Sequence, residues 1–377
     1  MRFSRTVWLL AWISLFTDVA SEMLYPIMPL YLQSIGFTVV WIGVLEGFAE
    51  AIAGLSKGYF GRLSDTMQQR KSFVQGGYAL SALAKPLMAA SVLPVWVFAI
   101  RTLERLGKGI RSAPRDAMLA AETNAHNKGA VFGFHRSMDT TGAALGPLLA
   151  LGFLYYSPGN YQSLFLLAFL PGLLAMGLTM ALPRENPKVA VSASPQGNNP
   201  AVYFFDFLLY LRRGTAAYKQ LVAGLLAFAL INSSDAFLLL QLKQAGWDDL
   251  SIIGVYIGYN VGYALLAFPV GMWADRWGFK TSWIVGLCAF SLAYFLLAGY
   301  AGQVAWVIVA FVCYALYTAT TEGISKAWIS RLVSPAETAT ALGTYTALQS
   351  VAAFLASTLT GWVWYYAGGA TALGLIA

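Results

Sequence analysis

The 377 residues are 58% hydrophobic and 11% charged, with a mean hydropathy of +0.62, whereas soluble domains carry roughly a quarter charged residues. That excludes a soluble enzyme or a disordered polyelectrolyte. The net charge of +7 follows from where Lys and Arg fall in a membrane topology, which leaves a nucleic-acid partner nothing to explain.

A bilayer-crossing helix needs roughly 20 apolar residues, and lipid satisfies no backbone polar group. The long apolar runs therefore read as helices, since they lack the short alternation of an outer-membrane barrel. In chain order they are predicted over 7–33, 38–63, 72–92, 96–121, 128–155 and 161–182. After a linker at 184–218 they continue over 219–243, 249–274, 281–299, 303–331 and 337–366, with an apolar start of another at 369–377. The expected fold is an all-α membrane protein of two pseudo-symmetric six-helix bundles, 1–183 and 219–377. The twelfth helix is expected to be cut short at Ala377, so that the sequence lacks its natural C-terminus.

The two bundles echo each other. Gly61-Arg62-Leu63-Ser64-Asp65 returns 210 positions later as Gly271-Met272-Trp273-Ala274-Asp275, and Gly36 with Gly246 and Gly133 with Gly343 keep the same offset. A duplicated helical membrane unit is the architecture of an alternating-access transporter with its substrate site between the halves.

Arg2, Arg5, Arg62, Arg70, Lys71, Lys128, Arg184, Lys188, Arg212, Arg213, Lys219, Arg276 and Lys280 cluster at alternate breaks. The opposite breaks, around 34–37, 91–95, 156–160 and 300–303, carry neither Lys nor Arg. The positive-inside rule places the N-terminus and the linker in the cytoplasm of a multi-pass protein in a bacterial-type inner membrane. No cleavable signal peptide is read at the start, because the first apolar segment is long enough to span. Within the linker, 189–200 reads as a flexible tether. The aromatic stretch Tyr203-Phe204-Phe205-Asp206-Phe207, followed by Arg212 and Arg213, reads as an amphipathic segment on the inner membrane surface, with partner docking as the alternative.

Cys288 and Cys313 lie in apolar runs and read as packing. His126 and His135 have no ligand-spaced neighbours. No metal, cofactor or nucleotide site is expected, and no enzymatic activity.

Three segments resemble the major facilitator superfamily. Gly61 to Lys71, with Asp65 at a helix end and the basic pair Arg70 and Lys71 behind it, resembles that family's signature cytoplasmic loop. Its second copy runs from Gly271 through Asp275 and Arg276 to Lys280 and has Gly278 where the first has Gln69. Arg101 to Gly109 is similar to the fourth-helix motif, with Arg105 and Lys108 at positions that are usually small. Gly133, Gly142, Gly146 and Pro147 resemble the fifth-helix motif of its antiporters, with Ala150-Leu151 in place of the terminal glycine pair. The resemblance spans the chain and implies a secondary transporter of the drug or metabolite exporter type. Gly61, Asp65, Arg70, Lys71, Gly142, Gly146, Pro147, Asp275 and Arg276 are its gating candidates, although the fifth-helix glycines serve equally for packing.

Charges inside apolar helices are costly and mark function, a wet cavity or a pair. Asp18 and Glu22 lie one turn apart on the first predicted helix, as do Glu46 and Glu50 on the second. With Asp235 and Glu322 they are the proton-coupling candidates; the alternative for Asp18, Glu22, Glu46 and Glu50 is that they pair with the cations of the fourth predicted helix and hold the first bundle together. Arg101, Glu104, Arg105, Lys108, Arg111 and Arg115 form a stripe along the fourth predicted helix. Arg101 and Arg105 are expected to neutralise Asp18 or Glu22, and Arg111 and Arg115 to serve the cytoplasmic latch. His135, Arg136 and Asp139 form a polar cluster on the fifth helix, and Glu322 and Lys326 lie one turn apart on the tenth. The substrate or charge-pair candidates are Arg101, Glu104, Arg105, Lys108, His135, Arg136, Asp139, Lys326, Tyr256, Asn260 and Tyr317. Residues 1–183 hold fourteen basic and nine acidic groups against six of each in 219–377, which assigns the coupling chemistry to the first half. The expected function is proton-coupled export of a small solute by a monomer in contact with membrane lipid. The alternative is an importer or facilitator of an organic anion that uses the fourth-helix cations.

Overall fold

The computed structural model describes residues 3–124, 126–183 and 203–377, so the tether at 189–200 lies outside the described residues. Among them the chain is helical, with no strand: α1 Arg5–Glu22, α2 Met28–Ser34, α3 Val39–Met67, α4 Arg70–Ala90, α5 Pro94–Ala121, α6 Lys128–Tyr156 and α7 Tyr161–Met180 come first. They are followed by α8 Tyr210–Arg213, α9 Ala216–Ala229, α10 Ala236–Gln244, α11 Asp249–Trp277, α12 Phe279–Tyr300, α13 Val304–Leu332, α14 Thr338–Ala367 and α15 Gly369–Ile376. Among the described residues, four segments, Tyr161–Met180, Ser251–Trp277, Phe279–Tyr300 and Val304–Leu332, are long and apolar enough by themselves to cross a bilayer.

Two predicted helices are each observed as two. The one expected over 7–33 is interrupted between α1 and α2, where Pro26 has no N–H for the carbonyl of Glu22 and disfavours helical backbone at Tyr25. The one expected over 219–243 is interrupted between α9 and α10 at Asn232-Ser233-Ser234-Asp235, whose short polar side chains compete for backbone groups. There Ser234 N–H is taken by Ser357 Oγ at 3.1 Å, and Ala236 N–H by Ser234 Oγ at 3.3 Å. Tyr25 and Asp235 are 210 residues apart, so both copies of the repeat break at one register and place Glu22 and Asp235 beside a break.

Two compact units form. One comprises Met1–Glu122, Thr141–Tyr218 and Leu332–Ser350; the other comprises Thr123–Thr140, Lys219–Arg331 and Val351–Ala377. Each therefore takes in the first part of a long helix, α14 or α6, from the opposite half of the sequence. In the first unit α4 packs on α5 and α7, α3 on α5, and α1 on α7. A Cβ on Gly77 would come within 2.7 Å of Gly107 O, so the α4–α5 contact depends on glycine. The second unit is cored by α11, α12 and α13, with Phe290, Tyr294, Phe311 and Tyr314 buried at its centre.

Each unit contains a joint of one design. In the first, a Cβ on Gly61 would strike Ala339 O and one on Gly343 would strike Lys57 O; Asp65 Oδ2 accepts from Thr340 N at 2.7 Å and Thr340 Oγ1 at 2.9 Å. In the second, Gly271 faces Gly129 O, Gly133 faces Ala267 O, and the Asp275 carboxylate accepts from Gly129 N at 2.7 Å and Ala130 N at 2.8 Å. Residues 57, 61, 65, 339, 340 and 343 map by the 210 offset onto 267, 271, 275, 129, 130 and 133. Each carboxylate satisfies unpaired N–H groups at a helix start and sits at the positive end of its dipole. The offset also corrects the loop alignment. The counterpart of Gly278 (φ 91°) is Gln68 (φ 54°), not Gln69, and both close their helix in the left-handed region.

Gly133→Ala and Gly343→Ala should each lower the thermal unfolding midpoint of purified protein, by the equivalent of about 1–3 kcal/mol of overpacking. Gly152→Ala, where a Cβ would meet nothing within 4 Å, should leave it in place. Equal midpoints for all three would remove the close-approach role of the glycines.

Candidate functional site

The cationic stripe of α5 is built into a network in the first unit. Arg101, with 3% of its side chain exposed, donates from Nε and Nη2 to the two carboxylate oxygens of Glu46 on α3, at 2.8 and 3.0 Å, and from Nη1 to Glu104 at 2.6 Å. Glu104 also meets Lys85 of α4 at 3.4 Å, and Lys85 donates to Ser81 O. Arg105 reaches Glu46 at 3.6 Å and Glu50 at 3.5 Å, and its guanidinium lies 5.7 Å from the ring of Tyr25 at the helix break.

These contacts correct the expected pairing. The ion pairs of Arg101 and Arg105 run to Glu46, Glu50 and Glu104, on α3 and on α5 itself, and not to the α1 carboxylates. Arg111 is also no latch residue: it donates to Ser81 Oγ at 2.5 Å and lies 4.4 Å over the ring of Tyr78. Arg115 pairs with its neighbour Asp116 at 2.9 Å and reaches Ser14. Lys85 escaped the sequence reading, although a single Lys within the apolar run 72–92 was its signal.

Asp18, Ser21, Glu22, Tyr25, Ser81, Arg101, Glu104, Arg105, Lys108 and Arg111 line one small polar chamber of about 30 Å³. Asp18 and Glu22 are half-buried there. Lys108 is exposed, and the Nε of Arg105 is buried without a hydrogen-bond acceptor. The α6 glycines press against this acidic turn. A Cβ on Gly142 would approach Asp18 Cβ within 3.0 Å, and one on Gly146 would lie 2.7 Å from Met23 N and 2.9 Å from the Glu22 carbonyl carbon, one residue before Pro147. They act by close packing against the turn that carries the candidates.

In the second unit, the α6 cluster is reached from two other helices. Arg136 donates to Tyr263 Oη at 2.6 Å and Asp139 at 2.7 Å, meets Glu322 at 3.5 Å, and lies over the Tyr263 ring at 5.3 Å. His135 is buried beside it, and Lys326 is half-buried one turn beyond Glu322. At the second break, Asp235 accepts from Tyr314 Oη at 2.5 Å. Of the three neutral candidates, Asn260 is buried and donates to the Tyr256 carbonyl of its own helix at 3.0 Å, while Tyr317 is buried 4.8 Å from Phe290. Asn260 and Tyr317 are thus engaged within the second unit, and Tyr256 is only partly buried.

The gating candidates divide. Arg70 pairs with Asp65 at 2.6 Å and donates to Pro335 O at 2.5 Å, joining α4 to the approach of α14. Lys71 instead donates to Leu182 O, beyond the end of α7. Arg276 is exposed and lines an open recess with Pro269, Val270, Met272 and Trp273. Beside the first joint, Tyr210 reaches Glu337 at 3.4 Å. Burial and then the Glu337 charge push the Tyr210 hydroxyl above its ordinary value, so it remains a donor.

Among known proteins, the sequence profile of the Major Facilitator Superfamily matches residues 10–259 and 236–377. An uncharacterized MFS-type transporter of Methanocaldococcus jannaschii is 30% identical over 367 residues, covering 96% of this chain and 89% of the relative. Of solved structures, the human organic anion transporter MFSD10 (TETRAN) superposes with a TM-score of 0.77 at 17% identity, over 99% of this chain and 96% of that one. The E. coli fucose:proton symporter FucP does so with a TM-score of 0.75 at 14% identity, over 98% and 95%. The chain belongs to the major facilitator superfamily and is a multi-pass secondary transporter, not an enzyme.

Proposed function

We propose that this transporter couples the movement of a small solute to protons, with Asp18 and Glu22 as the proton-carrying groups and export as its direction. The bundles 1–183 and 219–377 alternate access, with the N-terminus and linker in the cytoplasm of a bacterial-type inner membrane. The observation that carries this reading is that Asp18 and Glu22 stand together on the last turns of α1, beside a helix break, in the wall of a chamber that Arg101, Arg105, Lys108 and Arg111 also line. A proton added to either changes the charge of a cavity ringed by Arg101, Arg105, Lys108 and Arg111, and so changes which solute and which arrangement of helices is favoured. The antiporter-like glycines pack against this turn, which supports exchange. FucP, which has a similar fold, is a fucose:proton symporter, and this supports proton coupling here. Asp235 and Glu322 form a second candidate pair in the other unit.

A second reading has its own observation. Exposed Lys108 and the side chain of Arg105 line the same chamber, a donor set suited to a carboxylate or sulfonate. The solute would then be an organic anion, as it is for the human organic anion transporter MFSD10. Proteoliposomes under an imposed proton gradient separate the two. Proton-for-solute exchange of ethidium or tetraphenylphosphonium supports export, and uptake of p-toluenesulfonate supports the anion reading.

Replacing Asp18 with Asn and Glu22 with Gln should leave the protein folded and remove proton-driven accumulation of whichever probe is moved. Unchanged accumulation in the double variant would take both residues out of the coupling. The structural role given to the ion pairs makes a separate prediction. Arg101→Met alone should destabilise by about 3–5 kcal/mol, because buried carboxylates lose their partner. Combined with Glu46→Gln it should recover about 1–3 kcal/mol in a double-mutant cycle of thermal or denaturant stability. A cycle with no coupling would contradict the pairing.

A further inference from the structure

The linker segment that follows the undescribed residues has two unlike faces. Its inner face is anchored at the first joint. Phe207 is buried with its ring 2.6 Å from where a Cβ on Gly58 would stand, and its carbonyl accepts from Thr344 Oγ1 at 3.1 Å. Asp206 pairs with Arg62 at 3.5 Å. Tyr210 packs edge-on against Tyr218 with ring centroids 5.1 Å apart, and Tyr218 Oη donates to Ala341 O at 3.0 Å. One short strap thus holds α3 through Gly58 and Arg62 and the first turns of α14 through Thr344, and Tyr218 of α9, on which its Tyr210 packs, adds the contact with Ala341. α3 and α14 are the elements that Asp65 and Gly343 bring together.

The outer face is unlike the rest of a solvated loop. Tyr203, Phe205, Leu208 and Leu209 are exposed, Tyr203 by 72% and Phe205 by 58%, while Phe204, also exposed, lies against the ring of Tyr59 on α3 with centroids 5.4 Å apart. Arg212 and Arg213 follow in the last turn of α8 and are exposed. The only acid between 203 and 219 is Asp206, which Arg62 engages. Large apolar and aromatic groups beside adjacent arginines match the interfacial layer of a membrane leaflet that carries anionic headgroups. The preceding stretch 184–202 offers only scattered Val and Ala among Pro, Gly and Asn, a poor apolar cover for that face.

We propose that residues 203–213 form a lipid-docked strap, whose outer face binds anionic headgroups while its inner face holds the α3–α14 joint together. The inner contacts fix the orientation in which the aromatic groups and both arginines share one surface. Anionic lipid therefore binds the joined state more tightly than a state in which the strap has let go, and shifts the equilibrium toward the joined state. The regulation needs no knowledge of the solute and is independent of which residues carry protons.

Hydrogen–deuterium exchange on the full chain tests this, in nanodiscs of phosphatidylcholine alone and with phosphatidylglycerol added. Anionic lipid should slow exchange at least about threefold in peptides covering 57–65, 204–213 and 338–345. The difference should vanish in the double variant Arg212→Gln with Arg213→Gln and persist in Lys280→Gln, which alters a basic residue at another loop. A triple variant, Phe205→Ser with Leu208→Ser and Leu209→Ser, should lose it as well; if that variant misfolds, the arginine pair decides. Equal exchange in both lipids overturns the proposal. So does a lipid effect that survives loss of both arginines, or protection that depends on deleting 189–199 and not on lipid.

Discussion

Arg101 sets the constraint on which the first unit depends. An ionised side chain this deeply buried costs several kcal/mol to take out of water, and only close, well-oriented partners offset that. Here one carboxylate on α3 grips the guanidinium in two places and another on α5 grips it in a third, while Lys85 from α4 completes the second carboxylate. Three helices are thereby held in one register. Sliding α3 along α5 would take Glu46 from between Arg101 and Arg105, which it contacts together, and leave Arg101 with Glu104 of its own helix. The α4–α5 glycine contact at Gly77 and Gly107 belongs to the same arrangement, because it lets Lys85 and Ser81 approach α5.

The chamber follows from that register. With α3, α4 and α5 fixed by ion pairs, the side of α5 carrying Arg105, Lys108 and Arg111 faces α1 where Pro26 interrupts it, and Asp18, Glu22 and Tyr25 close the other wall. The two joints obey a different rule. There glycine removes the side chain that would separate two backbones, and a carboxylate caps the helix start brought close. Such a joint rests on a few directional hydrogen bonds and on little apolar area. In the proposed alternating-access cycle, contacts of that kind can be made and lost, whereas the Arg101 network stays closed.

Much of this was legible in the sequence, for reasons that also explain the rest. Ionised residues stand out in apolar runs, so the chamber groups Asp18, Glu22, Arg101 and Arg105 could be named. Which carboxylates pair with the arginines could not be chosen between Asp18 and Glu22 on one helix and Glu46 and Glu50 on the next, because pairing depends on which helices become neighbours, and Arg101 meets Glu46 across 55 residues. The 210-residue echo revealed the duplicated joint. It did not reveal that Asp65 caps a helix 275 residues away, since nothing local distinguishes a capping Asp from a solvated one. The breaks at Pro26 and at Asn232 to Asp235 were masked by apolar flanks that read as one continuous span. Asn260 and Tyr317 looked suited to a solute because a polar tip in a membrane helix has several uses. In the fold they bond or pack within the second unit.

The central claim is that the α3 and α5 carboxylates frame the protein while those of α1 exchange protons. Infrared difference titration of the carboxylic C=O stretch, on purified protein in lipid without any solute, tests it most directly. The account predicts a titrating band in the wild type that is lost in the Asp18→Asn, Glu22→Gln double variant and retained in Glu46→Gln. A band untouched by the α1 changes and removed by Glu46→Gln would contradict it.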